Sequence, residues 1–142
     1  MFEFSTILLR LGLAFILGSI LGLERERKGR SAGLRTHILV CMGSALIMLV
    51  SVYIYELYKH ETTLDPARIA AGVVTGIGFL GAGTILRSTN RVVGLTTAAS
   101  IWISASIGLA VGCGFISAAI ATTAIAFFTL LLLGALEKRW DK

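Results

Sequence analysis

Charged and polar side chains lie at the ends of long apolar segments, where they can bind a cation, carry a proton or pair with one another. Glu24 and Arg25 close the first apolar segment, and Arg35, Thr36 and His37 open the second. A carboxylate is a ligand for hard cations, and an imidazole exchanges protons near neutral pH. The competing interpretation is a salt bridge at a helix end, which contributes about 1 kcal/mol or less when exposed. Both interpretations stay open from the residues alone.

Arg10 is a cation inside the first apolar segment. At membrane depth a charge is costly, so it either has a partner or extends to the membrane surface. On a helix it continues a row of small residues at four-residue spacing, Ala14, Gly18 and Gly22. This row predicts that Arg10 faces other helices, and Asp65 is the expected anchor among the acids on that side. Asp65 also precedes the predicted start of a helix, where a carboxylate caps free N–H groups, so its two roles compete.

The composition indicates which solvent surrounds these residues. The chain has 142 residues, of which 56% are hydrophobic and 15% are charged, and its mean hydropathy is +0.86. A soluble domain carries about a quarter charged residues, and a bilayer core needs about 20 apolar residues per helix. We predict transmembrane helices over residues 5–23, 38–55, 69–86, 95–111 and 115–136. The fourth is the shortest, which leaves its complete crossing open. We therefore expect one all-α membrane domain over residues 1–142, a bundle of about five transmembrane helices.

Basic residues predict the orientation of this bundle. Ten of the 13 Lys and Arg residues fall in the loops after the first and third spans and in the tail after the fifth. Because basic loops stay in the cytoplasm, we expect the N-terminus outside and the C-terminus inside a bacterial inner membrane. The net charge of +5 is then a topology signal, which argues against a nucleic-acid partner. The two cysteines lack metal-site or redox spacing, and no catalytic motif supports an enzyme or a cofactor.

Small residues predict which helix faces meet, because helices in lipid associate through close backbone contact. The third span is expected to be central, with Val73 and Ile77 toward lipid and the opposite half toward the bundle, carrying Gly72, Gly76, Gly78 and Gly83. The fourth span repeats small residues at four-residue spacing, namely Thr96, Ser100, Ser104 and Gly108, with Thr97 beside them. Residues 76–81 also fit G-x-G-x-x-G and end at Gly81, but no strand or acidic residue accompanies them, which favours helix packing. An unwound helix lining a site at membrane depth is the alternative.

Four ordered blocks give the chain a resemblance to a known family. They cover residues 21–37, 65–71, 76–83 and 94–99, and include Glu24-Arg25-Glu26 and Leu34-Arg35-Thr36-His37. In these blocks the chain resembles the MgtC/SapB family. The blocks add Arg68, Thr96 and Thr97 to the candidate functional residues. Many members carry a soluble C-terminal domain after the last helix, and we expect this chain to be a short member without it.

The resemblance implies an inner-membrane protein linked to magnesium limitation, virulence or acid stress. Some members are considered magnesium transporters, and others restrain the membrane ATP synthase. Magnesium requires oxygen ligands, usually with one or two carboxylates, and no Asp or Glu lies in the interior of any predicted span. We therefore expect a regulator that binds a membrane partner such as the ATP synthase, with a second copy of the chain as a further partner. The alternative is a transporter of magnesium or another ion, for which Glu24 is the nearest carboxylate.

Overall fold

The computed structural model describes residues 3–60, 63–87 and 91–140, with side chains as far as residue 134. The described chain forms five helices, α1 (Phe4–Arg27), α2 (Leu34–Tyr58), α3 (Ala67–Ala82), α4 (Leu95–Cys113) and α5 (Ile116–Trp140). Two short antiparallel strands, β1 (Leu86–Arg87) and β2 (Val92–Val93), form a hairpin between α3 and α4. Helices satisfy every internal backbone hydrogen bond without water, which a bilayer core requires. The predicted all-α membrane bundle is confirmed.

The short helix of the bundle is α3, whereas the sequence pointed to the fourth span. Helices α1, α2, α4 and the 116–134 part of α5 are long and apolar enough to cross a membrane. Helix α3 ends at Ala82 rather than near Leu86, so its 16 residues extend about 24 Å. A bilayer core is about 30 Å thick. The helix ends early because Gly83 and Thr84 form a turn that starts the β-hairpin.

Helix α3 nevertheless carries the chain from one end of the bundle to the other. At its start, the Ser51 hydroxyl near the end of α2 donates to Pro66 O. At its end, Gly81 packs against Ala98 in the first turn of α4, and Ser100 on the next turn of α4 contacts His37 at the start of α2. The helices therefore alternate in direction, and α1, α3 and α5 end at the same end of the bundle as the starts of α2 and α4.

Glycines bring α2 into close contact with α1 and α4. A Cβ atom at Gly18 would lie 2.9 Å from His37 O, and one at Gly22 would lie 2.8 Å from Leu34 Cα. On α4, a Cβ at Gly108 would collide with Cys41 O, and one at Gly112 would lie 2.5 Å from Ala45 O. Such distances are too short for a real side chain, so these glycines permit a backbone approach that other residues would prevent. The core is completed by fully buried apolar residues such as Leu21, Ile107 and Val111.

The expected packing face of α3 is wrong. Val73 and Ile77 are buried, in a cluster with Ile101 and Ala105 of α4, whereas Gly72, Gly76 and Gly78 are exposed and a Cβ there would meet nothing within 4 Å. Gly83 is likewise exposed, and only Gly81 of the predicted set is buried, against Ala98. The branched side chains fill the space between α3 and α4, which leaves the glycine face directed away from the chain. Helix α3 lies at the edge, and α4, which packs on all four other helices, is central.

The predicted turn between α4 and α5 is a glycine C-cap. Gly114 has φ of 93°, a left-handed conformation that glycine adopts without steric cost. Its N–H bonds Val111 O at 3.1 Å, and Phe115 N–H bonds Ala110 O at 2.8 Å. This pair of bonds is a Schellman motif, which satisfies two of the free carbonyls at the end of α4.

The glycine contacts predict a contrast between two leucine substitutions. Gly108→Leu should lower the free energy of unfolding by about 1–3 kcal/mol or more, because the side chain has no space beside Cys41. Gly76→Leu should leave stability nearly unchanged. Thermal unfolding in detergent and membrane abundance measure both effects, and an equal loss in the two variants would contradict this assignment of faces.

The distribution of basic residues predicts which end of the bundle faces the cytoplasm. Alkaline phosphatase fused after Arg30 should be inactive, and the same reporter fused after His60 should be active. The reverse pattern would show that the bundle is inserted in the opposite direction.

Candidate functional site

A buried polar cluster lies where α1 ends and α2 and α4 begin. It consists of Glu24, Arg25, Lys28, His37 and Ser100. Each of these side chains except Lys28 belongs to a residue that is no more than 4% exposed. Buried charges need partners, so the cluster is defined by how each member is satisfied.

Glu24 is held by two cations from its own helix. Arg25 Nε donates to Glu24 Oε2 at 2.5 Å, and Lys28 Nζ lies 2.6 Å from Oε1. The contact at Oε1 is an ion pair without the alignment of a hydrogen bond. Lys28 Nζ also donates to Leu130 O at 2.7 Å, which ties α1 to α5. The carboxylate therefore serves as the counter-ion of two cations.

Lys28 was missed in the sequence analysis. The signal was available, because Glu24 and Lys28 are four residues apart and such pairs share one helix face. The bond from Lys28 to Leu130 O was not predictable, since it joins residues 102 positions apart through a backbone acceptor.

His37 connects the start of α2 to α4. Its Nδ1 lies 2.8 Å from Gly33 O, and its Nε2 lies 3.0 Å from Ser100 Oγ. Since a carbonyl only accepts, Nδ1 carries a proton. Ser100 Oγ is also 2.8 Å from Thr97 O, so its single proton goes either to Nε2 or to Thr97 O. A neutral His37 accepts from Ser100, whereas a protonated His37 donates to Ser100, which then donates to Thr97 O.

The other candidates at this end of the bundle lie outside the cluster. Arg35 is exposed on the first turn of α2, and Thr36 is half-buried. Thr96 is exposed, and Thr97 is buried and contributes its carbonyl to the Ser100 contact. Sequence position alone grouped Arg35 and Thr36 with His37, but only His37 has the helical phase that faces α4.

Glu26 is exposed, but its side chain caps the start of α2. Its Oε2 accepts the Leu34 N–H at 2.9 Å, which caps the start of α2 from the end of α1. Gly33 provides the room, because a Cβ there would collide with the carboxylate. The sequence analysis missed this cap, since no Ser, Thr, Asp or Asn precedes α2 at the usual position.

Arg10 lies at the opposite end of the bundle and is anchored by a backbone carbonyl. Its Nη1 donates to Gly112 O at 2.6 Å, a carbonyl that the Schellman motif of α4 does not use. The negative end of a helix favours a cation at this position. Asp65, the expected anchor, instead accepts the Ala67 N–H at 2.8 Å and caps α3. Arg68, one residue after Ala67, is exposed.

A cavity of about 470 Å³ adjoins the cluster between α1, α4 and α5. It is mostly apolar, and Ser100 connects it to His37. Thr96, Thr122 and Thr129 are among its lining residues. One turn further along α4, the Ser104 hydroxyl is buried without a hydrogen-bond partner among the described residues. Within the described ranges, no group of three His, Cys, Asp or Glu residues could hold a metal ion.

Comparison with known proteins places these features in a family. The profile of the MgtC family matches residues 11–139. This chain belongs to the MgtC family. No solved structure matches it.

Three curated relatives show the extent of the similarity. YhiD of Escherichia coli (strain K12), a proposed magnesium transporter by name, is 53% identical over 109 residues, which cover 75% of this chain and 51% of that protein. Protein SapB of Bacillus subtilis (strain 168) is 44% identical over 120 residues, which cover 82% of this chain and 51% of that protein. Protein MgtC of Salmonella typhimurium (strain LT2) is 44% identical over 133 residues, which cover 93% of this chain and 54% of that protein. The chain therefore spans about half the length of these relatives.

The two ion pairs of Glu24 predict a charge-dependent loss of stability. Glu24→Gln should lower the free energy of unfolding by about 3 kcal/mol, because it leaves two cations without a counter-charge in a buried site. The double variant Glu24→Gln/Lys28→Met has the same net charge as the natural cluster. Its free energy of unfolding should therefore be higher than that of Glu24→Gln alone. Unfolding in detergent measures each variant. A double variant less stable than Glu24→Gln alone would show that Lys28 stabilises the chain independently of Glu24.

Proposed function

We propose that this protein is a membrane-embedded regulator in magnesium homeostasis, which acts by binding a transmembrane helix of a partner protein. The family supports the link to magnesium, since one relative is a proposed magnesium transporter by name. The observation that carries the regulatory part is the exposed glycine face of α3. Small residues that pack against none of the described residues of their own chain are suited to close contact with another helix.

The groove beside this face has the form that a partner helix requires. It lies between α2 and α3, has a volume of about 440 Å³, and is lined almost entirely by apolar residues. Gly43, Gly72 and Gly76 contribute to its wall, and a Cβ at each of them would meet nothing within 4 Å. Leu39, Ile47 and Leu80 line the same groove. A helix in this groove could approach both backbones and bury these side chains.

The family resemblance suggests the membrane sector of the ATP synthase as the partner, and a second copy of this chain is the other candidate. Both would present an apolar helix within the bilayer, and both fit the same groove.

Transport of magnesium or another ion is the alternative function, supported by the name of YhiD. The chemistry of the polar cluster weighs against it. Magnesium binds through carboxylates and retained water in near-octahedral geometry. Glu24, the buried carboxylate among the described residues, already has Arg25 and Lys28 at its two oxygens. An incoming cation would have to displace both side chains.

The groove predicts a variant that is stable but inactive. Gly76→Leu should fold and accumulate normally yet fail to restore growth of a deletion strain in low magnesium, because leucine blocks the groove. Val74→Leu is the matched control, since Val74 is exposed on α3 and does not line the groove. Membrane levels are measured in parallel. Full growth with Gly76→Leu at normal abundance would refute this docking site.

A further inference from the structure

A second groove runs between α1 and α5 and is apolar along one part and charged at its end. Its volume is about 280 Å³. The apolar part is lined by Ile20, Leu23, Phe127 and Leu131, and the charged part by Glu24, Arg27 and Lys28. This groove is separate from the one assigned to a partner helix, with which it shares no lining residue.

The order of these residues along the helices separates the groove into two chemical zones. From Ile20 to Lys28, α1 rises by about 12 Å. Helices α1 and α5 run in the same direction, and Lys28 contacts Leu130 O. Ile20, Leu23 and Phe127 therefore lie deeper in the bundle than the cations at the end of α1, and Leu131 lies beside Lys28. A phospholipid has the same order of acyl chain and head group.

The charged end has capacity for an anion. An ammonium group has three N–H donors; Lys28 donates one to Leu130 O and forms an ion pair with Glu24. Arg27 is exposed at the same end. Glu24 is already the counter-ion of Arg25 and Lys28, so the positive charge of Arg27 has no carboxylate partner among the described residues.

We propose that this groove binds an anionic phospholipid, with its phosphate at Arg27 and Lys28 and an acyl chain that passes Leu131 and packs against Ile20, Leu23 and Phe127. An apolar partner helix would leave the positive charge uncompensated. A zwitterionic lipid brings its own cation next to Arg27. The anionic lipid satisfies both zones of the groove.

Native mass spectrometry of the full chain in detergent tests this site, with phosphatidylglycerol and phosphatidylcholine of the same acyl chains as probes. We expect tighter retention of phosphatidylglycerol. Arg27→Gln should weaken this retention about five-fold, the equivalent of about 1 kcal/mol per basic residue. Leu131→Trp should also weaken it, because the larger side chain fills the groove.

Two matched controls separate a specific site from general attraction to a basic loop. Arg30→Gln removes an exposed cation of the same loop, and Leu132→Trp enlarges an exposed residue of α5; neither residue lines the groove. Both controls should bind phosphatidylglycerol as the natural chain does. Equal retention of the two lipids would overturn the proposal, as would equal losses in Arg27→Gln and Arg30→Gln or in the two tryptophan variants.

Discussion

Close backbone contact of α2 with α1 and α4 is the constraint on which the rest of the structure depends. Gly18 and Gly22 admit α2 on one side, and Gly108 and Gly112 admit it on the other. Without side chains at these positions, the helices approach closely enough for His37 to reach Ser100 at 3.0 Å. The same contact buries Glu24 and Arg25 at the end of α1. The polar cluster is therefore a consequence of glycine packing.

Buried and half-buried charges at both ends of the bundle are paired within the chain and connect its helices. Lys28 joins Glu24 to the backbone of α5, and Arg10 joins α1 to the end of α4. A charge in or near a bilayer is costly unless it is paired. In this protein the paired charges have a second effect, since each pairing fixes one helix relative to another. This supports a structural role for residues that, in isolation, resemble parts of an ion pathway.

Sequence reasoning predicted the helices, the Gly112–Gly114 turn and the proximity of Glu24 to His37, because these follow from hydropathy, glycine and chain order. It assigned α3 the wrong face. One face of α3 carries small residues and the other carries branched apolar residues, and both kinds are compatible with lipid or with protein. Helical periodicity therefore separates the two faces but does not show which of them packs against the other helices. The partner of Arg10 was also missed, because Gly112 O is a backbone acceptor far away in sequence. Lys28, in contrast, lay at a recognisable four-residue spacing from Glu24.

Glu24 is an internal counter-ion, and we propose that the chain acts through helix contacts and not through ion transport. Magnesium flux into proteoliposomes loaded with a magnesium-sensitive dye distinguishes the two functions. We expect vesicles containing the natural chain to take up magnesium no faster than protein-free vesicles. A magnesium-specific flux in the natural chain that Glu24→Gln abolishes, in protein shown to remain folded, would contradict it.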